Sequence, residues 1–339
     1  MRRNNSRFKR FLLLLLICAL LLAGAGLWWI HQPMPLKLAP GTTALDLEIE
    51  PGNANRAAAA VVASGADVSL RALQLWFRMS GDARLIKAGS YEITAGSTPR
   101  SVLSMLVRGD QSLRSVTLVE GWTFAQVRSA LQKAEHLKQE TSGLEPETIM
   151  KMVNKPGIPA EGRFFPDTYT YAKGSSDVAV LKRAARAMDK RLDAAWALRS
   201  PDSPLKSPQD ALVLASIVEK ETGQVADRAQ ISGVFNNRLR LGMMLQTDPT
   251  VIYGLGSRFD GNLRRRDLLA DTPYNTYTRT GLPPTPIAMP GKAALLAAVQ
   301  PAPTKALYFV ARGDGSSHFS NNLDEHNRAV NKYIRGQQP

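Results

Sequence analysis

An uncharged run of 20 residues, FLLLLLICALLLAGAGLWWI at positions 11–30, constrains this chain more than any other feature. A helix of that length spans roughly 30 Å, which is the thickness of a bilayer's hydrocarbon core. Residues 1–10 are basic and contain no acid, which favours a cytoplasmic N-terminus, while Trp28 and Trp29 suit the opposite interface. The sequence therefore predicts a cytoplasmic tail (1–10), one transmembrane helix (11–30) and a body outside the cytoplasm.

A cleaved signal peptide is the alternative interpretation, because small residues occupy 23–26. The apolar region of such a peptide usually runs for only ~7–15 residues, so a retained anchor in the cytoplasmic (inner) membrane, with a periplasmic body, is the prediction. Cys18 is the only cysteine and lies inside the apolar run, which excludes a disulfide within one chain.

The charge balance limits the class of partner. The net charge is +14, but six of those charges lie in the first 40 residues, and the rest of the chain holds 37 basic and 29 acidic residues. Aromatic and basic residues do not alternate as a strand-binding groove requires, so we expect no nucleic-acid partner. An anionic membrane surface or cell-wall polymer fits better, and a basic surface that only confers solubility fits equally well.

Residues 41–112 repeat one pattern, in which a strand-like stretch leads to a polar turn and then to an apolar helical run. LDLEIEPGNANRAAAAVVASG, AGSYEITAGSTPRSVLSMLVRG and SVTLVEGWTFAQVRSALQKA each show it, the last running past the end of this range. The first unit continues through ASGADVSLRALQLW, and the whole resembles a LysM-type carbohydrate-binding unit. A small βα module that only spaces the next domain from the membrane is the alternative.

Residues 113–339 form the larger of the two predicted domains, and the overall fold class is α+β. Helices are predicted near 177–198, 208–222 and 226–241. The loops of this domain are rich in Pro, Asn, Thr and Tyr, and polar loops on a rigid scaffold often carry function.

One predicted helix ends in two glutamates. Ser207 suits an N-cap, Pro208 suits the first helical position, and the following residues ALVLASIV are almost entirely apolar. At about 100° per residue, Glu221 and Glu219 lie some 160° apart, so they cannot form one carboxylate dyad. Glu221 has the more apolar neighbours, and desolvation should therefore raise its pKa towards that of a general acid.

An ordinary solvated or salt-bridged glutamate is the competing interpretation of either residue. A helix that is apolar all round is buried, however, so its terminal carboxylates need partners. Glu219 could orient Glu221, or it could pair with an arginine such as Arg238 or Arg240.

Four strings together resemble the YceG-like (MltG) endolytic murein transglycosylases: EGRFFPDTY, LASIVEKET, NNRLRLGMMLQTDPTVIYG and YNTYTRTGLPP. The resemblance covers essentially the whole chain. Arg163, Thr285 and Met289 depart from the residues usual in that family, which affects fine substrate contacts more than the reaction.

The resemblance implies a lyase that cleaves MurNAc-GlcNAc β-1,4 bonds within peptidoglycan strands and leaves 1,6-anhydroMurNAc ends. One acid/base glutamate performs this reaction in the family, and it matches Glu221. No cofactor and no metal are implied. The implied partners are glycan strands, the membrane, and the peptidoglycan synthases with which such an enzyme would process nascent strands.

Other polar residues in these strings are candidates for supporting or substrate-binding roles. Those with donors, acceptors or rings suited to sugars are Gln246, Asp248, Tyr274, Asn275 and Tyr277, although Asp248 and Asn275 are also typical turn formers. Glu161 and Asp167 flank Phe164 and Phe165 and are candidates to line a cleft, with core packing of the two rings as the alternative.

Two further patterns are given structural interpretations. His318 and His326 lack the spacing of a zinc site, and LDEHN reads as the start of a helix. ARGDGSS lacks the Lys-Ser/Thr ending of a phosphate loop and is most simply a hairpin turn.

Two other functions stay open. A hydrolytic muramidase would need a second carboxylate across the bond, for which Glu161, Asp167 and Asp248 are candidates. A non-catalytic peptidoglycan-binding scaffold would have no need to desolvate Glu221.

Overall fold

The computed structural model describes residues 4–39 and 42–336, which divide into two compact units. The first comprises the chain up to Arg114 together with Tyr171–Gly174, and the second comprises Ser115–Thr170 with the remainder. Arg2 and Arg3 of the basic tail, and Gly41 at the start of the expected module, lie outside the described residues.

The first unit contains four helices and two strands among its described residues. They are α1 (Asn4–Trp29), β1 (Ala44–Ile49), α2 (Ala54–Ala63), α3 (Leu70–Met79), β2 (Gly89–Thr94) and α4 (Pro99–Arg108). Within α1, the 22 residues Phe8–Trp29 are apolar apart from Lys9 and Arg10 and are long enough to cross a membrane, and none of them is buried in the protein. A signal sequence near an N-terminus can also be this long and apolar, so α1 is a candidate anchor.

The strands β1 and β2 pair antiparallel, with Ala44 opposite Thr94 and Ile49 opposite Gly89. The inward residues of the pair, including Leu47 and Tyr91, pack with the apolar faces of the helices to form the core of this unit. The first two strand-turn-helix units predicted from the sequence are confirmed as β1 with α2 and β2 with α4. The side chains of Asn53 and Thr98 cap the two helices and so define where they begin.

The third strand-turn-helix unit is also confirmed, as β3 (Leu113–Thr117) followed by α5 (Phe124–Lys133). Its strand pairs with β4 (Thr168–Ala172), and two of the three points where the chain divides into its two units fall inside these strands. Thr123 caps α5, and Gln126 completes a reciprocal capping box.

The second unit is mainly helical. After α5 its elements are α6 (Pro146–Met152), α7 (Asp177–Ala197), α8 (Pro208–Glu221), α9 (Val225–Arg240), α10 (Asp248–Leu255), α11 (Arg265–Leu269), α12 (Lys292–Val299), β5 (Tyr308–Ala311), β6 (Ser317–Ser320) and α13 (Leu323–Tyr333). The three helices predicted near 177–198, 208–222 and 226–241 are confirmed as α7, α8 and α9. The mixed α+β class is also confirmed.

The central element of the second unit is α8, which packs against α7, α9, α10 and α12. All eight residues from Ala211 to Val218 are buried, as the apolar sequence of this helix predicts. Ser207 accepts a hydrogen bond from the backbone N–H of Asp210 at 3.1 Å, and Pro208 occupies the first helical position. The start of α8 is therefore fixed by local chemistry, and its end delivers two glutamates to the edge of the core.

The C-terminal elements follow the sequence closely. The strands β5 and β6 pair antiparallel, with Tyr308 opposite Ser320, and the ARGDGSS string forms the turn between them. Asn322 caps α13 by accepting from the N–H of Glu325, so LDEHN does begin a helix. His326 stacks on Tyr308 at 5.2 Å between ring centroids.

Candidate active site

Glu221 is the last residue of α8, and its carboxylate is shielded by the elements packed around that helix. Its Oε2 accepts a hydrogen bond from the Thr247 hydroxyl at 2.7 Å. Burial raises the pKa of Glu221, the Thr247 hydroxyl lowers it, the charge of Asp248 raises it and the charge of Arg238 lowers it. Desolvation is the largest of these effects, so the neutral acid is favoured to higher pH than in water.

Thr247 belongs to a cluster of three buried threonines. The hydroxyls of Thr250 and Thr276 lie 2.9 Å apart, the Thr250 hydroxyl donates to the carbonyl of Thr247 at 2.8 Å, and the N–H of Thr247 donates to the Thr276 hydroxyl at 3.1 Å. These bonds join the start of α10 to the loop at 276 and fix the direction of the Thr247 hydroxyl. This cluster was not predicted from the sequence, although all three threonines lie within the strings that resemble the YceG-like family.

Arg238 is a buried cation near the same carboxylate. Its guanidinium donates to the carbonyls of Leu307 at 2.7 Å and Leu245 at 2.9 Å, and it lies over the Tyr308 ring at 5.0 Å from the centroid. Burial lowers the pKa of Arg238, and nearby Tyr308, Tyr277 and Glu221 raise it. Backbone carbonyls accept from Arg238 Nε and Nη1, so Arg238 places a positive charge near Glu221 without forming an ion pair with it.

Asp248 and Tyr277 form a second polar pair beside Glu221. The Tyr277 hydroxyl donates to Asp248 Oδ1 at 2.5 Å. Asp248 is exposed at the first position of α10, and Tyr277 is partly exposed. Burial is the largest cause that raises the pKa of Tyr277, and the bond to Asp248 is the next. Asp248 is therefore a carboxylate that solvent reaches and that lies close enough to Glu221 to perturb it.

Gln246 connects these groups to the backbone. Its main chain has a positive φ of 48°, an uncommon conformation for a residue with a side chain, and its N–H donates to the carbonyl of Thr276 at 3.0 Å. The side chain is exposed, with its Oε1 3.5 Å from the Arg238 guanidinium. The conformation of Gln246 thus turns the chain so that the next residue, Thr247, points inward to Glu221.

Glu219 does not share the environment of Glu221. Its side chain is 5% exposed, and its Oε1 accepts from Arg228 at 3.2 Å while its Oε2 accepts from the N–H of Gly291 at 2.8 Å. Burial raises the pKa of Glu219, and the Gly291 N–H and the Arg228 charge lower it. The prediction that Glu219 pairs with Arg238 or Arg240 was wrong about the partner. The reason is that Arg228 lies in the first turn of α9, nearly three turns before Arg238, and the packing of α9 on α8 brings the first turn to Glu219.

Gly291 also lies beside the exposed carboxylate of Glu120. A Cβ built at Gly291 would lie 1.8 Å from Glu120 Oε1, so a larger residue there would require the Glu120 side chain to move aside. The segment before α12 is held to α8 twice, because the N–H of Ile287 also donates to the Ser216 hydroxyl at 3.0 Å. Glu219 therefore links three pieces of the second unit: α8, α9 and the chain entering α12.

Glu161 is a third buried carboxylate, 8% exposed. Its Oε1 accepts from the N–H of Phe124, the first residue of α5, at 2.9 Å, and its Oε2 accepts from the Tyr253 hydroxyl at 3.2 Å. Burial raises the pKa of Glu161 to about 7, against the lowering effect of these bonds. Tyr253 packs edge-on against Tyr274 with 4.9 Å between centroids, which connects Glu161 to α10 and to the loop at 274.

The remaining candidates divide between exposed and structural positions. The Tyr274 hydroxyl lies 2.8 Å from that of Thr285. Asn275 is buried, and its amide donates to three carbonyls around the end of α11 while its oxygen accepts from the N–H of Tyr277, which is the turn-forming arrangement. Asp167 is exposed and accepts from the N–H of Thr168.

Phe164 and Phe165 are core residues, which is the alternative that the sequence left open. Both rings are buried, and Phe164 stacks on Phe124 with 5.2 Å between centroids. Arg163, where the chain departs from its family's usual residue, hydrogen bonds Gln209 near the start of α8.

The arrangement offers acid/base chemistry. In the described part of the chain, no group of three or more His, Cys, Asp or Glu side chains is placed to hold a metal ion. What the site presents is one shielded carboxyl with a raised pKa, a fixed hydroxyl donor, and the polar groups of Asp248, Tyr277 and Gln246. A carboxylic acid that stays protonated near neutral pH can deliver a proton and then accept one.

Comparison with known proteins identifies the family to which these features belong. Residues 47–332 match the YceG-like family, and the chain belongs to that family. It is 32% identical over 337 residues to the endolytic murein transglycosylase of Bacillus subtilis (strain 168), a match that covers 93% of this chain and 91% of that protein.

Two further proteins are similar. The endolytic murein transglycosylase of Streptococcus pneumoniae (serotype 2, strain D39) is 28% identical over 286 residues, which cover 74% of this chain and 51% of that protein, so the match spans about half of its length. A crystal structure of a YceG-like protein from Listeria monocytogenes aligns with a TM-score of 0.52 and 28% identity, covering 84% of this chain and 99% of that chain.

Proposed function

We propose that this chain is a membrane-anchored endolytic lytic transglycosylase that cleaves the MurNAc-GlcNAc β-1,4 bond within peptidoglycan strands, with Glu221 as its single acid/base. Relatives named endolytic murein transglycosylase support the general reaction. The observation that carries the assignment of the residue is the hydrogen bond from Thr247 to a carboxyl whose pKa burial raises.

In the proposed reaction Glu221 donates one proton and later accepts another. Neutral Glu221 protonates the oxygen that links the two sugars, and the bond from that oxygen to C1 of MurNAc breaks. Positive charge develops at C1, and the C6 hydroxyl of the same MurNAc attacks it. The Glu221 carboxylate takes the hydroxyl's proton, which regenerates the acid and leaves a 1,6-anhydroMurNAc end without consuming water.

The surroundings of Glu221 suit both halves of this cycle. Desolvation keeps the acid protonated, and the Thr247 hydroxyl and the Arg238 charge stabilise the carboxylate once the proton has left. The Thr247 bond also fixes one carboxyl oxygen, so that the other is free to face a substrate. A purely binding protein would gain nothing from such a desolvated acid.

We assign supporting roles to the other candidate residues according to whether solvent reaches their side chains. Asp248, Tyr277 and Gln246 are the polar groups near Glu221 that solvent reaches, and we assign them to sugar contacts. Glu219, Glu161, Tyr274 and Asn275 are assigned to positioning, because their polar atoms are engaged with other parts of the second unit. Asp167 stays a candidate for the cleft edge.

The first unit has a proposed role in holding the enzyme at the membrane and on its substrate. The apolar helix α1 would anchor the chain in the cytoplasmic membrane, with the N-terminus inside and both units in the periplasm. The LysM-like interpretation of residues 41–112 assigns them to glycan binding. Association with peptidoglycan synthases, in order to end or process nascent strands, belongs to the same proposal.

Hydrolysis is the alternative reaction, and one observation supports it. Asp248 is exposed and close enough to raise the pKa of Glu221, so it could act as a second carboxylate. Glu219 and Glu161 are poor candidates because their oxygens already accept backbone hydrogen bonds.

The mass of fragments released from purified peptidoglycan distinguishes these functions. A lytic transglycosylase releases fragments whose MurNAc end lacks one water relative to the hydrolysed product. Fragments of the hydrated mass would contradict the proposal and favour a muramidase. The absence of any fragment from active-site-intact protein would favour the scaffold.

A further inference from the structure

The strand β5 contacts the Arg238 guanidinium in two ways. Arg238 Nε donates to the carbonyl of Leu307, the residue before the strand, at 2.7 Å, and the guanidinium lies over the ring of Tyr308, the first residue of the strand, at 5.0 Å from the centroid. A cation within ~6 Å of an aromatic face is attracted by the ring. Hydrogen bonds engage a guanidinium in its plane, so the carbonyls leave its faces uncovered and the Tyr308 ring covers one of them.

The Tyr308 ring also contacts His326 of α13. The imidazole stacks on Tyr308 with 5.2 Å between ring centroids and 25° between ring planes. The guanidinium, the phenol ring and the imidazole come from α9, β5 and α13, and we call these three groups the Arg238 cluster. The C-terminal hairpin and helix therefore contact Arg238 through the side chain of Tyr308.

His326 is held in the Arg238 cluster by packing. Its Nδ1 is buried and has no hydrogen-bond partner, which costs stability. Burial and the charges of Arg238 and His318 lower the pKa of His326, so the neutral ring is favoured. The imidazole therefore contributes an uncharged aromatic surface to the cluster, and Nδ1 contributes no bond.

The Arg238 cluster affects Glu221 through the charge of the guanidinium. That charge lowers the pKa of Glu221, and Arg238 is only 7% exposed. A charge shielded from water acts more strongly on its neighbours than an exposed charge does. Loss of the ring over the guanidinium would let the guanidinium move and let water reach it, and both changes weaken its effect on Glu221.

We propose that Tyr308 and His326 are positioning residues for the reaction, which hold the Arg238 guanidinium in place and shielded so that its charge stabilises the Glu221 carboxylate after proton transfer. Neither residue touches the substrate in this role. The proposal rests on the proposed function, because it takes Glu221 as the acid. It gives β5 and α13 a part in catalysis as well as in folding.

The test measures the pH–kcat profile for release of fragments from purified peptidoglycan by the full chain in detergent. Tyr308→Leu removes the ring and keeps an apolar side chain. Because the charge of Arg238 lowers the pKa of Glu221, that pKa should rise, and the alkaline limb of the profile should move to higher pH. The plateau of kcat should fall roughly 10-fold, which is less than the ~10²–10³-fold loss of a donor that touches the reacting atoms.

Conservative variants separate the rings from their polar atoms. Tyr308→Phe keeps the ring over the guanidinium and should leave the alkaline limb in place. His326→Ala removes the stacked ring and should move the limb in the same direction as Tyr308→Leu, whereas His326→Phe keeps a ring and should leave the limb in place. A limb that moves equally in His326→Ala and His326→Phe would overturn the role of the stacked ring.

A double-mutant cycle tests whether Tyr308 acts through Arg238. Arg238→Met removes the charge and should itself move the alkaline limb to higher pH. Adding Tyr308→Leu should move the limb no further, because the charge that Tyr308 positions is already absent. Equal movement of the limb by Tyr308→Leu with and without Arg238 would overturn the proposal.

Phe309→Leu is the matched control for lost packing. Phe309 follows Tyr308 on β5, and its ring packs edge-on against Phe235 of the core with 5.9 Å between centroids. This variant should lower the midpoint of thermal unfolding without moving the alkaline limb. A limb that moves as far in Phe309→Leu as in Tyr308→Leu would reduce the role of Tyr308 to stability and overturn the proposal.

The mass of the fragments separates this proposal from the proposed reaction. A limb that moves as expected while the fragments have the hydrated mass would contradict the proposed reaction alone. An unmoved limb in Tyr308→Leu protein that releases anhydro fragments would overturn the positioning role alone.

Discussion

The Thr247 hydroxyl donates to Glu221 Oε2 at 2.7 Å across 26 residues of sequence. This bond ties the end of the buried helix α8 to the start of α10, and it counteracts the effect of burial on the same carboxyl. A catalytic acid needs both influences, because it must hold its proton before the bond breaks and tolerate the charge afterwards.

Replacement of Glu221 by Gln tests the acid directly. The amide keeps volume and hydrogen-bonding capacity but carries no transferable proton, so release of anhydro fragments should fall by at least ~10²–10⁴-fold. The midpoint of thermal unfolding should hold or rise, because a neutral amide is no costlier to bury than a carboxyl. Glu219→Gln should lower activity less. Full activity in Glu221→Gln, or an inactive Glu219→Gln beside an active Glu221→Gln, would show that the acid is assigned to the wrong residue.

Replacement of Thr247 by Val tests the hydroxyl donor. Because the Thr247 bond lowers the pKa of Glu221, its loss should raise that pKa. The acid must be protonated to act, so the alkaline limb of the pH–kcat profile should move to higher pH. Thr117→Val removes a hydroxyl that bonds Thr168 and contacts neither Glu221 nor the threonine cluster, so it should leave the limb in place. An unmoved limb in Thr247→Val would exclude Thr247 as a determinant of the catalytic pKa.

The buried pair of Arg228 and Glu219 predicts a stability effect. Arg228→Met leaves Glu219 charged, 5% exposed and without its ion-pair partner, so the free energy of unfolding should fall by about 3–5 kcal/mol at pH 8. The loss should be smaller at lower pH, where Glu219 becomes neutral. Lys151→Met, which breaks the exposed pair with Glu147, should cost less than about 0.5 kcal/mol. Urea unfolding followed by tryptophan fluorescence measures both, and equal losses would contradict the prediction.

Glu161 predicts how stability depends on pH. Its pKa is raised from 4.5 in the unfolded chain to about 7 in the folded protein, so the folded state holds the proton more tightly. The stabilisation that comes from protonated Glu161 is therefore fully present below pH 4.5 and is lost as pH rises through 7. The stability of Glu161→Gln relative to the native protein should increase by about 3 kcal/mol between pH 4 and pH 8. The free energy of unfolding is measured in urea at each pH. If it depends on pH in the same way for both proteins, the pKa of Glu161 is not raised.

The membrane topology is also testable. The basic tail and the apolar helix predict that the C-terminus lies outside the cytoplasm. A reporter enzyme that is active only after export, fused after Pro339, should therefore be active. Activity of a cytoplasm-dependent reporter at the same position would reverse the orientation and remove access to the wall.

Local rules were enough to predict much of this protein. Ser207 and Pro208 define the start of α8, the apolar run that follows predicts its burial, and Asn322 defines the start of α13. These features depend on capping, side-chain period and turn chemistry, which act over a few residues and can be read directly from the sequence. The same rules predict that Glu221 and Glu219 lie on different faces of α8 and therefore have different partners.

The partners of those carboxylates were decided by tertiary structure alone. Glu219 pairs with Arg228 and not with Arg238 or Arg240, Thr247 contacts Glu221, and Glu161 meets the N-terminus of α5 37 residues earlier in the chain. Each of these contacts depends on how helices pack and which turn of one faces which turn of another. The sequence could state that buried carboxylates need donors, because desolvation is a local cost. It could not state which donors, because that depends on distances set only when the whole second unit has folded.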